Sequence, residues 1–171
     1  MAAVRSQQDY AARRHIPWGI SESAYIQTDE AGNYQYHAFG LPRLALHKDE
    51  LEALVISPYS TVLALSVDPC GALKNLHHMA AQGWLSAYGF YEAADYTPSV
   101  QHPRRHSHAP VRCWMAHHQG MSLLAMANFL HGGVVRRWFH SNPYVQATEL
   151  LLNEKPVAHV KRRAEYHTAA A

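Results

Sequence analysis

The segment that most constrains the fold of this chain is an apolar stretch at residues 111–130. After Gly120 it contains the sequence MSLLAMANFL, which leaves little polar surface on any face of a helix. A helix that is apolar on all faces is buried on all faces, so we predict a central helix here. His131, Gly132 and Gly133 follow it and are typical of a helix end. Residues 61–67 are apolar nearly all round and predict a second buried helix.

Two helices buried on all sides are typical of layered α-helical folds, in which an inner ring of helices is enclosed by an outer one. A chain of 171 residues has difficulty enclosing both by itself, which indicates that it is part of a larger structure. Further helices are predicted at residues 2–14, 47–55, 69–82 and 144–153. Asp68-Pro69 and Asn142-Pro143 mark the starts of the last two.

The β content is predicted to be small. Residues 24–38 alternate in polarity on both sides of the turn residues 29–33, which favours a β-hairpin. Residues 84–96 are predicted as a loop or a short strand, because Gly89 interrupts their aromatic residues. Residues 97–110 are rich in Pro, Arg and His and predict a loop at the rim of a site.

Charge and composition exclude several function classes. The net charge is only +2 and the basic residues form no stripe, so neither nucleic acid nor membrane insertion is expected. No apolar run has the length of a membrane span, and Cys70 and Cys113 favour free thiols and a cytoplasmic location. The 14 histidines lack the spacing of metal ligands, such as an i, i+4 pair around a Glu. We therefore predict no metal and no cofactor.

Two stretches of the sequence place an acid among aromatic side chains. Residues 16–25 (IPWGISESAY) carry Glu22 close to Trp18 and Tyr25, and residues 88–96 (YGFYEAADY) carry Glu92 in a similar setting. Aromatic faces can stack on the apolar faces of pyranose rings, and a shielded Glu can hold a raised pKa. Such clusters suit sugar chemistry. The alternative is a solvated loop Glu beside ordinary core aromatics.

The order and spacing of several segments between His15 and Lys155 resemble the glucoamylase-like domain of cyclic β-1,2-glucan synthases. The segments are 16–25 (IPWGISESAY), 34–40 (YQYHAFG), 57–59 (SPY), 88–93 (YGFYEA), 115–122 (MAHHQGMS) and 145–152 (VQATELLL). The resemblance implies a mainly α fold, a partial (α/α)6 toroid with the active cleft at one mouth, with the small hairpin near the active loop. It also implies action on β-1,2-glucan, which such domains cyclise by transglycosylation, whereas related stand-alone enzymes hydrolyse it.

The resemblance covers the C-terminal part of that domain. Residues 1–156 are therefore expected to be the C-terminal portion of a glucoamylase-like catalytic domain, and residues 157–171 a basic, Ala-rich, disordered tail. The expected partners are β-1,2-glucan and the missing upstream part of the same domain or a full synthase. Whether the chain is active by itself stays open. The sequence departs from the family at Arg43 and Ala45, where Gly is usual, and at Cys113-Trp114, where Ser-Tyr is usual.

Glycoside chemistry commonly uses two carboxyl groups, and the two matched acid–aromatic clusters assign them to Glu22 and Glu92. A separation of about 5 Å fits a direct nucleophile, and about 6.5–9.5 Å leaves room for a water. The more desolvated carboxyl group is expected to act as the acid, and the sequence leaves open which one that is. Further residues predicted to contact substrate are Trp18, Tyr25, His37, Tyr59, Tyr91, Asp95, His117, His118 and Gln119.

Structural roles are the alternatives for several of these residues. Each aromatic side chain could be core packing, Asp95 could form a turn before Thr97-Pro98, and His118 could be a buried, hydrogen-bonded packing residue. An endo-β-1,2-glucanase-type hydrolase is the alternative within the enzyme class. Two other classes also stay open, an inactive carbohydrate-binding fragment and a His-rich protein that zinc or nickel stabilises.

Overall fold

The computed structural model describes residues 2–42, 44, 53–97 and 108–152. Its helices are α1 (Ala2–Ala12), α2 (Pro58–Leu63), a 3₁₀ turn (Ala64–Ser66), α3 (Pro69–Ala81), α4 (Ala116–Leu130), α5 (Val134–His140) and α6 (Pro143–Leu152). Its strands are β1 (Glu22–Thr28), β2 (Tyr34–Ala38), β3 (Val55–Ile56), β4 (Leu85–Ser86), β5 (Gly89–Phe90), β6 (Ala93–Asp95) and β7 (Ala109–Val111). The chain divides into two compact units, Met1–Val135 and Arg136–Ala171. The predicted combination of long helices with small sheets is confirmed.

The predicted hairpin is present as β1 and β2, which pair antiparallel with Glu22 opposite Ala38. The Asp29 carboxylate closes the turn by accepting hydrogen bonds from the backbone N–H of Ala31 (3.0 Å) and of Asn33 (2.8 Å). An Asp that bonds to the backbone two residues further on is a local turn signal. The pairing therefore follows from short-range features of the sequence.

Two helix boundaries also follow the local signals. Asp68 caps α3, because its Oδ1 accepts a hydrogen bond from the backbone N–H of Gly71 at 2.9 Å. Gly83 follows the end of α3 with φ +82°, a conformation that glycine adopts without strain. The side chain of Asn142 accepts from the backbone N–H of Tyr144 at 2.9 Å and so caps α6. Capping residues read from the sequence therefore locate these helices to within a residue or two.

The predicted helix at residues 111–130 begins later than expected. α4 starts at Ala116, and Val111 instead ends strand β7, where it pairs with Ala93 of β6. Val111 is fully buried in that position. Pro110 disfavours helical backbone just before it and is tolerated in an edge strand, which is where β7 lies. Because this pairing is non-local, the apolar pattern of the sequence does not reveal it.

α4 is also less buried than an apolar helix should be. Among the described residues of α4 the one buried side chain is that of His118, whereas Leu123 is 64% exposed and Leu130 is 72% exposed. α4 packs against α2 and the 3₁₀ turn, and Leu63 of α2 is itself exposed. The prediction of two helices buried on all faces is therefore wrong for the described part of the chain. The apolar side chains of α4 would allow packing on every face, but α2 and the 3₁₀ turn cover only one side of it.

Other expectations are corrected or lie outside the described residues. The predicted helix at 47–55 lies mostly outside them, and its last residue, Val55, pairs with Asp95 as part of β3. The buried side chains of α3 include Asn75 and Met79, whereas Leu73 is exposed. Residues 98–107 of the predicted rim loop and residues 157–171 of the predicted tail also lie outside the described ranges. The helices within those ranges all lack the length and apolar character needed to cross a membrane.

The core of the first unit includes the hairpin and the three-stranded sheet, whose strand order is β3-β6-β7. β6 is the middle strand, and all three of its residues are buried. Its small side chains, Ala93 and Ala94, allow β1 to pack closely against it. This packing determines where two acids lie, because Glu92 immediately precedes β6 and Glu22 begins β1.

Candidate active site

The loop that leads into Glu22 is held on two sides by side-chain amides. The Gln7 amide of α1 donates to the carbonyl oxygen of Ile20 (2.7 Å) and accepts from its N–H (3.0 Å). The Asn75 amide of α3 does the same for Trp18, donating at 2.7 Å and accepting at 3.1 Å. Paired bonds of this kind satisfy backbone groups that no strand or helix serves. They fix the loop in one position on the first unit.

Gly19 lies at the point of closest approach between this loop and α2. Its carbonyl oxygen accepts a hydrogen bond from the backbone N–H of Ser57 at 2.9 Å. Its φ is +134°, and a Cβ at this position would lie 2.7 Å from the Ser60 hydroxyl oxygen and 2.9 Å from the Ser57 carbonyl oxygen. Only glycine fits a backbone conformation and a contact of this kind. The loop is thus closely seated on the start of α2.

Tyr59 of α2 connects the loop to the first residue of β1. Its hydroxyl donates to the Glu22 carbonyl oxygen at 3.0 Å and lies 2.8 Å from the Ser21 hydroxyl. The side chain is buried. Burial and the nearby carboxylate of Glu22 raise the pKa of Tyr59, although the Ser21 hydrogen bond opposes that shift. Tyr59 was predicted to contact substrate, and here it positions the backbone from which the Glu22 side chain projects.

Glu92 and His118 form a buried acid–imidazole pair. The Oε1 atom of Glu92 lies 2.7 Å from His118 Nδ1, and each side chain is 1% exposed. The His118 ring stacks on the Tyr59 ring with centroids 3.7 Å apart and planes 9° from parallel. Burial raises the pKa of Glu92 to about 7, and burial lowers the pKa of His118 to about 4. Between about pH 4 and pH 7 the pair is therefore held mainly as an uncharged acid and an uncharged imidazole.

The protonation state of Glu92 decides which nitrogen of His118 carries the proton. An ionised Glu92 accepts from Nδ1–H, which leaves Nε2 as an acceptor. A protonated Glu92 donates to Nδ1, which leaves the proton on Nε2. Nε2 lies 3.1 Å from the Tyr36 hydroxyl and 4.0 Å from Oε1 of Glu22. A change in the protonation of Glu92 therefore changes whether His118 Nε2 donates or accepts a hydrogen bond on the side of Tyr36 and Glu22.

The solvent-facing side of this cluster consists of Glu22, Tyr36 and His117. The Glu22 side chain is 48% exposed, and Tyr36 and His117 are exposed as well. The Tyr36 hydroxyl lies 3.2 Å from His117 Nε2 and 3.1 Å from His118 Nε2. Burial of its hydroxyl, together with the charge of Glu22, raises the pKa of Tyr36 to about 12. The phenol therefore stays protonated and can serve as a hydrogen-bond donor.

Tyr36 is the residue that the sequence analysis missed. It lies within the matched segment 34–40, but its neighbours in the hairpin were not used to place it. The register sets Tyr36 opposite Ala24, two residues along β1 from Glu22. On one face of a hairpin, such diagonal neighbours lie within reach of a long side chain. The hairpin register would therefore have brought Tyr36 to the site.

The structure brings together five of the predicted site residues: Glu22, Tyr59, Glu92, His117 and His118. Three of the others lie in the core or beside it. Tyr25 is buried, and its hydroxyl donates to Gln35 at 2.6 Å. Trp18 packs against the core and His37 lies beside Phe39, with ring centroids 4.9 Å apart.

Asp95, Tyr91 and Gln119 complete the predicted set. The Asp95 carboxylate is buried and accepts from the N–H of Thr97 at 2.8 Å and of Ile26 at 3.3 Å. The hydrogen bond from Thr97 forms a local turn, which is the structural role that the sequence analysis gave as the alternative to substrate contact for Asp95. Tyr91 is partly buried, with its ring 5.4 Å from that of Trp114, and Gln119 is exposed on α4.

Comparison with known proteins places these residues in a wider context. Residues 2–143 match the family model Glycoamylase, whose description is "Putative glucoamylase". The chain is 42% identical over 167 residues to the cyclic β-(1,2)-glucan synthase NdvB of Rhizobium meliloti (strain 1021). That match covers 95% of this chain but only 6% of the synthase, so this chain spans a small part of its relative.

Two solved structures are similar in fold. A "putative glucoamylase" from Bacteroides fragilis NCTC 9343 aligns with a TM-score of 0.52 at 26% identity, over 81% of this chain and 28% of that one. An endo-β-1,2-glucanase from Chitinophaga pinensis, in complex with sophorotriose and glucose, aligns with a TM-score of 0.50 at 25% identity. This second match covers 77% of this chain and 27% of the glucanase.

Proposed function

The chain belongs to the Glycoamylase family, and from that premise we propose that it is a carbohydrate-active domain that acts on β-1,2-glucan. The proposed reaction is cyclisation of linear glucan by transglycosylation, as part of cyclic β-1,2-glucan synthesis. The similarity to a cyclic β-(1,2)-glucan synthase over nearly the whole chain supports this reaction. The similarity in fold to an endo-β-1,2-glucanase supports the same linkage in the substrate.

The observation that carries the proposal is the pair of carboxyl groups on the two sides of the His118 ring. Glu92 is buried and its pKa is raised to about 7, so it can hold a proton near neutral pH. It is therefore our candidate for the acid. Glu22 faces solvent and is our candidate for the nucleophile or base. This is the division of roles that we propose for the two carboxyl groups, which the sequence left open.

The proton has a route from the buried acid to the substrate side. Protonated Glu92 gives its proton to His118 Nδ1, and the proton on Nε2 leaves toward the glycosidic oxygen. The transfer is either direct or through the Tyr36 hydroxyl, which gives up its own proton as it accepts the one from Nε2. No net charge remains on the ring after such a double transfer, which suits a buried imidazole. The solvent-facing Tyr36 and His117 are the nearest candidates for hydrogen bonds to sugar hydroxyls. The contacts predicted for Trp18, Tyr25, His37, Tyr91, Asp95 and Gln119 remain predictions.

The proposed architecture is the C-terminal part of an (α/α)6 toroid, formed by residues 1–156. The exposed apolar side chains of α4, such as Leu123 and Leu130, are the surface that further helices of a toroid would cover. The proposed partner is accordingly the upstream part of the same domain or a full synthase. Its binding would bury this surface and complete the cleft beside Glu22.

Two other functions remain as alternatives. An endo-β-1,2-glucanase-type hydrolase would use the same two carboxyl groups with water as the acceptor, and the similarity to the glucanase favours it. An inactive carbohydrate-binding fragment would keep the cleft residues without the helices that enclose the reaction. The exposed apolar face of α4 favours that reading for the isolated chain.

Mass spectrometry of linear β-1,2-glucan incubated with the purified chain tests the proposal. Products lighter by one water indicate cyclisation, and shorter linear products indicate hydrolysis. Unchanged glucan favours the binding fragment, and the measurement is then repeated with the upstream part of the domain supplied as a second polypeptide. Cyclic products in that mixture, but in neither part alone, would support the proposed partner.

The two acids are tested in whichever preparation is active. Glu22→Gln and Glu92→Gln are each expected to lower the rate at least about 100-fold, because acid–base groups contribute on this order. Glu30→Gln, in the exposed turn of the hairpin, is the matched control and should keep the rate. If either acid variant stays within a few-fold of wild type while folding normally, the assignment of that residue is wrong.

A further inference from the structure

Three side chains of the site, two of them exposed and one buried, present metal-ligand atoms to one another. One ligand atom each from Glu22, His117 and His118 lies within 4.8 Å of the others. Both imidazole Nε2 atoms also approach the Tyr36 hydroxyl, at 3.2 Å and 3.1 Å. Two ligands bound to a tetrahedral zinc ion at about 2.0–2.1 Å each lie about 3.3 Å apart. The observed arrangement therefore needs only a small contraction to enclose one ion.

Buried Glu92 supplies the outer partner that metal-binding histidines usually have. Its Oε1 lies 2.7 Å from His118 Nδ1. A carboxylate there accepts the Nδ1–H and directs the Nε2 lone pair away from itself, toward Glu22 and Tyr36. Stacking on Tyr59, with ring centroids 3.7 Å apart, also fixes the plane of the imidazole. His118 is thus held in the orientation of a ligand before an ion arrives.

We propose that Glu22, His117 and His118 form a binding site for Zn²⁺, with the Tyr36 hydroxyl oxygen in the fourth position. Imidazole and carboxylate are ligands that suit Zn²⁺, an ion with no electronic preference for one geometry. Glu22 and His117 are exposed, so the ion reaches the site from solvent. The Glu22 side chain, which is 48% exposed, supplies the contraction by a change of rotamer.

The spacing rules applied to the sequence did not find this site because its two histidines are adjacent. Neighbouring residues on a helix do not usually face the same point. Here they lie in the first turn of α4, with ring centroids 4.0 Å apart, and β2 brings Tyr36 to both. His77 and His78 are a second adjacent pair, exposed on α3, and among the described residues no carboxylate group joins them in a metal-binding cluster.

A bound zinc ion would occupy the carboxylate that the proposed glucan chemistry uses. Zinc is therefore expected to inhibit any glucan activity of the chain, and a chelator should restore it. The binding itself does not depend on that activity, since it requires only the folded first unit. The two proposals can accordingly fail separately.

Isothermal titration of the full chain with ZnCl₂, in a buffer that does not bind metal, tests the site. Wild type is expected to show one site of higher affinity above the weak background of its other histidines. His117→Ala and Glu22→Gln should each weaken that site at least tenfold. His77→Ala, which removes an exposed histidine of the other adjacent pair, should leave the affinity within twofold of wild type.

Thermal unfolding gives a second readout on the same proteins. Zinc should raise the midpoint of wild type and of His77→Ala, and excess chelator should reverse the shift, because an ion that binds only the folded state stabilises it. The shift should be smaller in His117→Ala and Glu22→Gln. Equal zinc binding by wild type and His117→Ala overturns the proposal, and so does a wild-type chain that shows only weak, non-stabilising binding.

Discussion

The buried pair of Glu92 and His118 links the stability of the fold to pH in two opposing ways. Burial raises the pKa of Glu92 from 4.5 to about 7, so the stability from its protonated form is complete below pH 4.5 and is lost as pH rises through about 7. Burial lowers the pKa of His118 from 6.5 to about 4, so the stability from its neutral form is complete above pH 6.5 and is lost as pH falls toward 4. Between these limits the two effects have opposite signs and largely cancel.

Glu92→Gln separates the two effects. In this variant, the free energy of unfolding no longer depends on the titration of the Glu92 carboxyl group, but it still depends on the titration of His118. Its free energy of unfolding should therefore rise from about pH 4 to about pH 6.5 and then level off. That of wild type should change little up to pH 6.5 and should fall toward pH 7 and above. Urea denaturation at a series of pH values measures both profiles.

The control for this series is Glu30→Gln, which removes an exposed carboxyl group from the hairpin turn. Its pH profile should follow that of wild type. Parallel profiles for wild type and Glu92→Gln would contradict the assignment of a raised pKa to Glu92. A profile for Glu92→Gln that is flat at acid pH would contradict the lowered pKa of His118.

At the scale of single residues, the sequence pointed to the two acids, to Tyr59 and to both histidines of the cluster, but it missed Tyr36. Glu22 and Glu92 stood out because each lies among aromatic side chains in a short segment. Which one is buried could not be predicted, because burial of Glu92 depends on the start of α4 packing near β6. Asp95 has the same local setting as Glu92, yet its carboxylate is used by two backbone N–H groups. Local composition shows that an acid is present, and tertiary contacts decide what it does.

At the scale of elements, the loop before β1 is positioned by how closely it meets α2. Gly19→Ala would place a methyl group 2.7 Å from the Ser60 hydroxyl oxygen and 2.9 Å from the Ser57 carbonyl oxygen, at φ +134°. The backbone strain of about 1–2 kcal/mol then adds to an overpacking cost of about 1–3 kcal/mol. We expect the variant to lose about 2–5 kcal/mol of unfolding free energy, measured by urea denaturation.

Gly32→Ala is the matched control, because it has the strain without the contact. Its φ is +82° and a Cβ there would meet nothing within 4 Å, so a loss of about 1–2 kcal/mol is expected. Equal losses for the two variants would mean that the loop is not held against α2 in the way described. Zinc affinity adds a further check, since Gly19→Ala should disturb Glu22 and Gly32→Ala should not.

Elements that depend on local signals were predicted well, and elements that depend on distant partners were not. The cap at Asp68 and the turn at Asp29 are both made by side chains that bond to backbone within a few residues. Strand β7, in contrast, exists because β6 pairs with it from residues more than a dozen positions away in the chain. The apolar residues of β7 extend the apolar pattern of the helix that follows, which is why α4 was predicted to begin at Val111.

At the scale of the whole molecule, the feature that the fold leaves unexplained is an exposed apolar groove in the first unit. Residues from the 3₁₀ turn, α3 and α4 line it: Leu65, Pro69, Cys70, Leu73, Met126, Phe129 and Leu130. Several of these side chains are largely exposed, with Leu73 at 54% and Leu130 at 72%. Contiguous exposed apolar side chains commonly mark an interaction surface. The apolar residues on all faces of α4 indicated that this helix needs apolar partners. The sequence could not show which of its faces is left exposed.

This groove should make the isolated chain associate with itself or bind apolar dyes. Leu130→Glu places a charge at the edge of the groove, where association would have to desolvate it. We expect wild type to show concentration-dependent sedimentation and strong fluorescence with an apolar dye, and the variant to lose at least about half of both signals.

Leu85→Glu is the matched control, because Leu85 is also exposed, at 52%, but lies on β4 and does not line the groove. If both variants behave like wild type, the groove is not the surface through which the chain associates. If Leu130→Glu alone stays monomeric, the same substitution should also weaken complementation by the upstream part of the domain, because both processes would bury the same side chains.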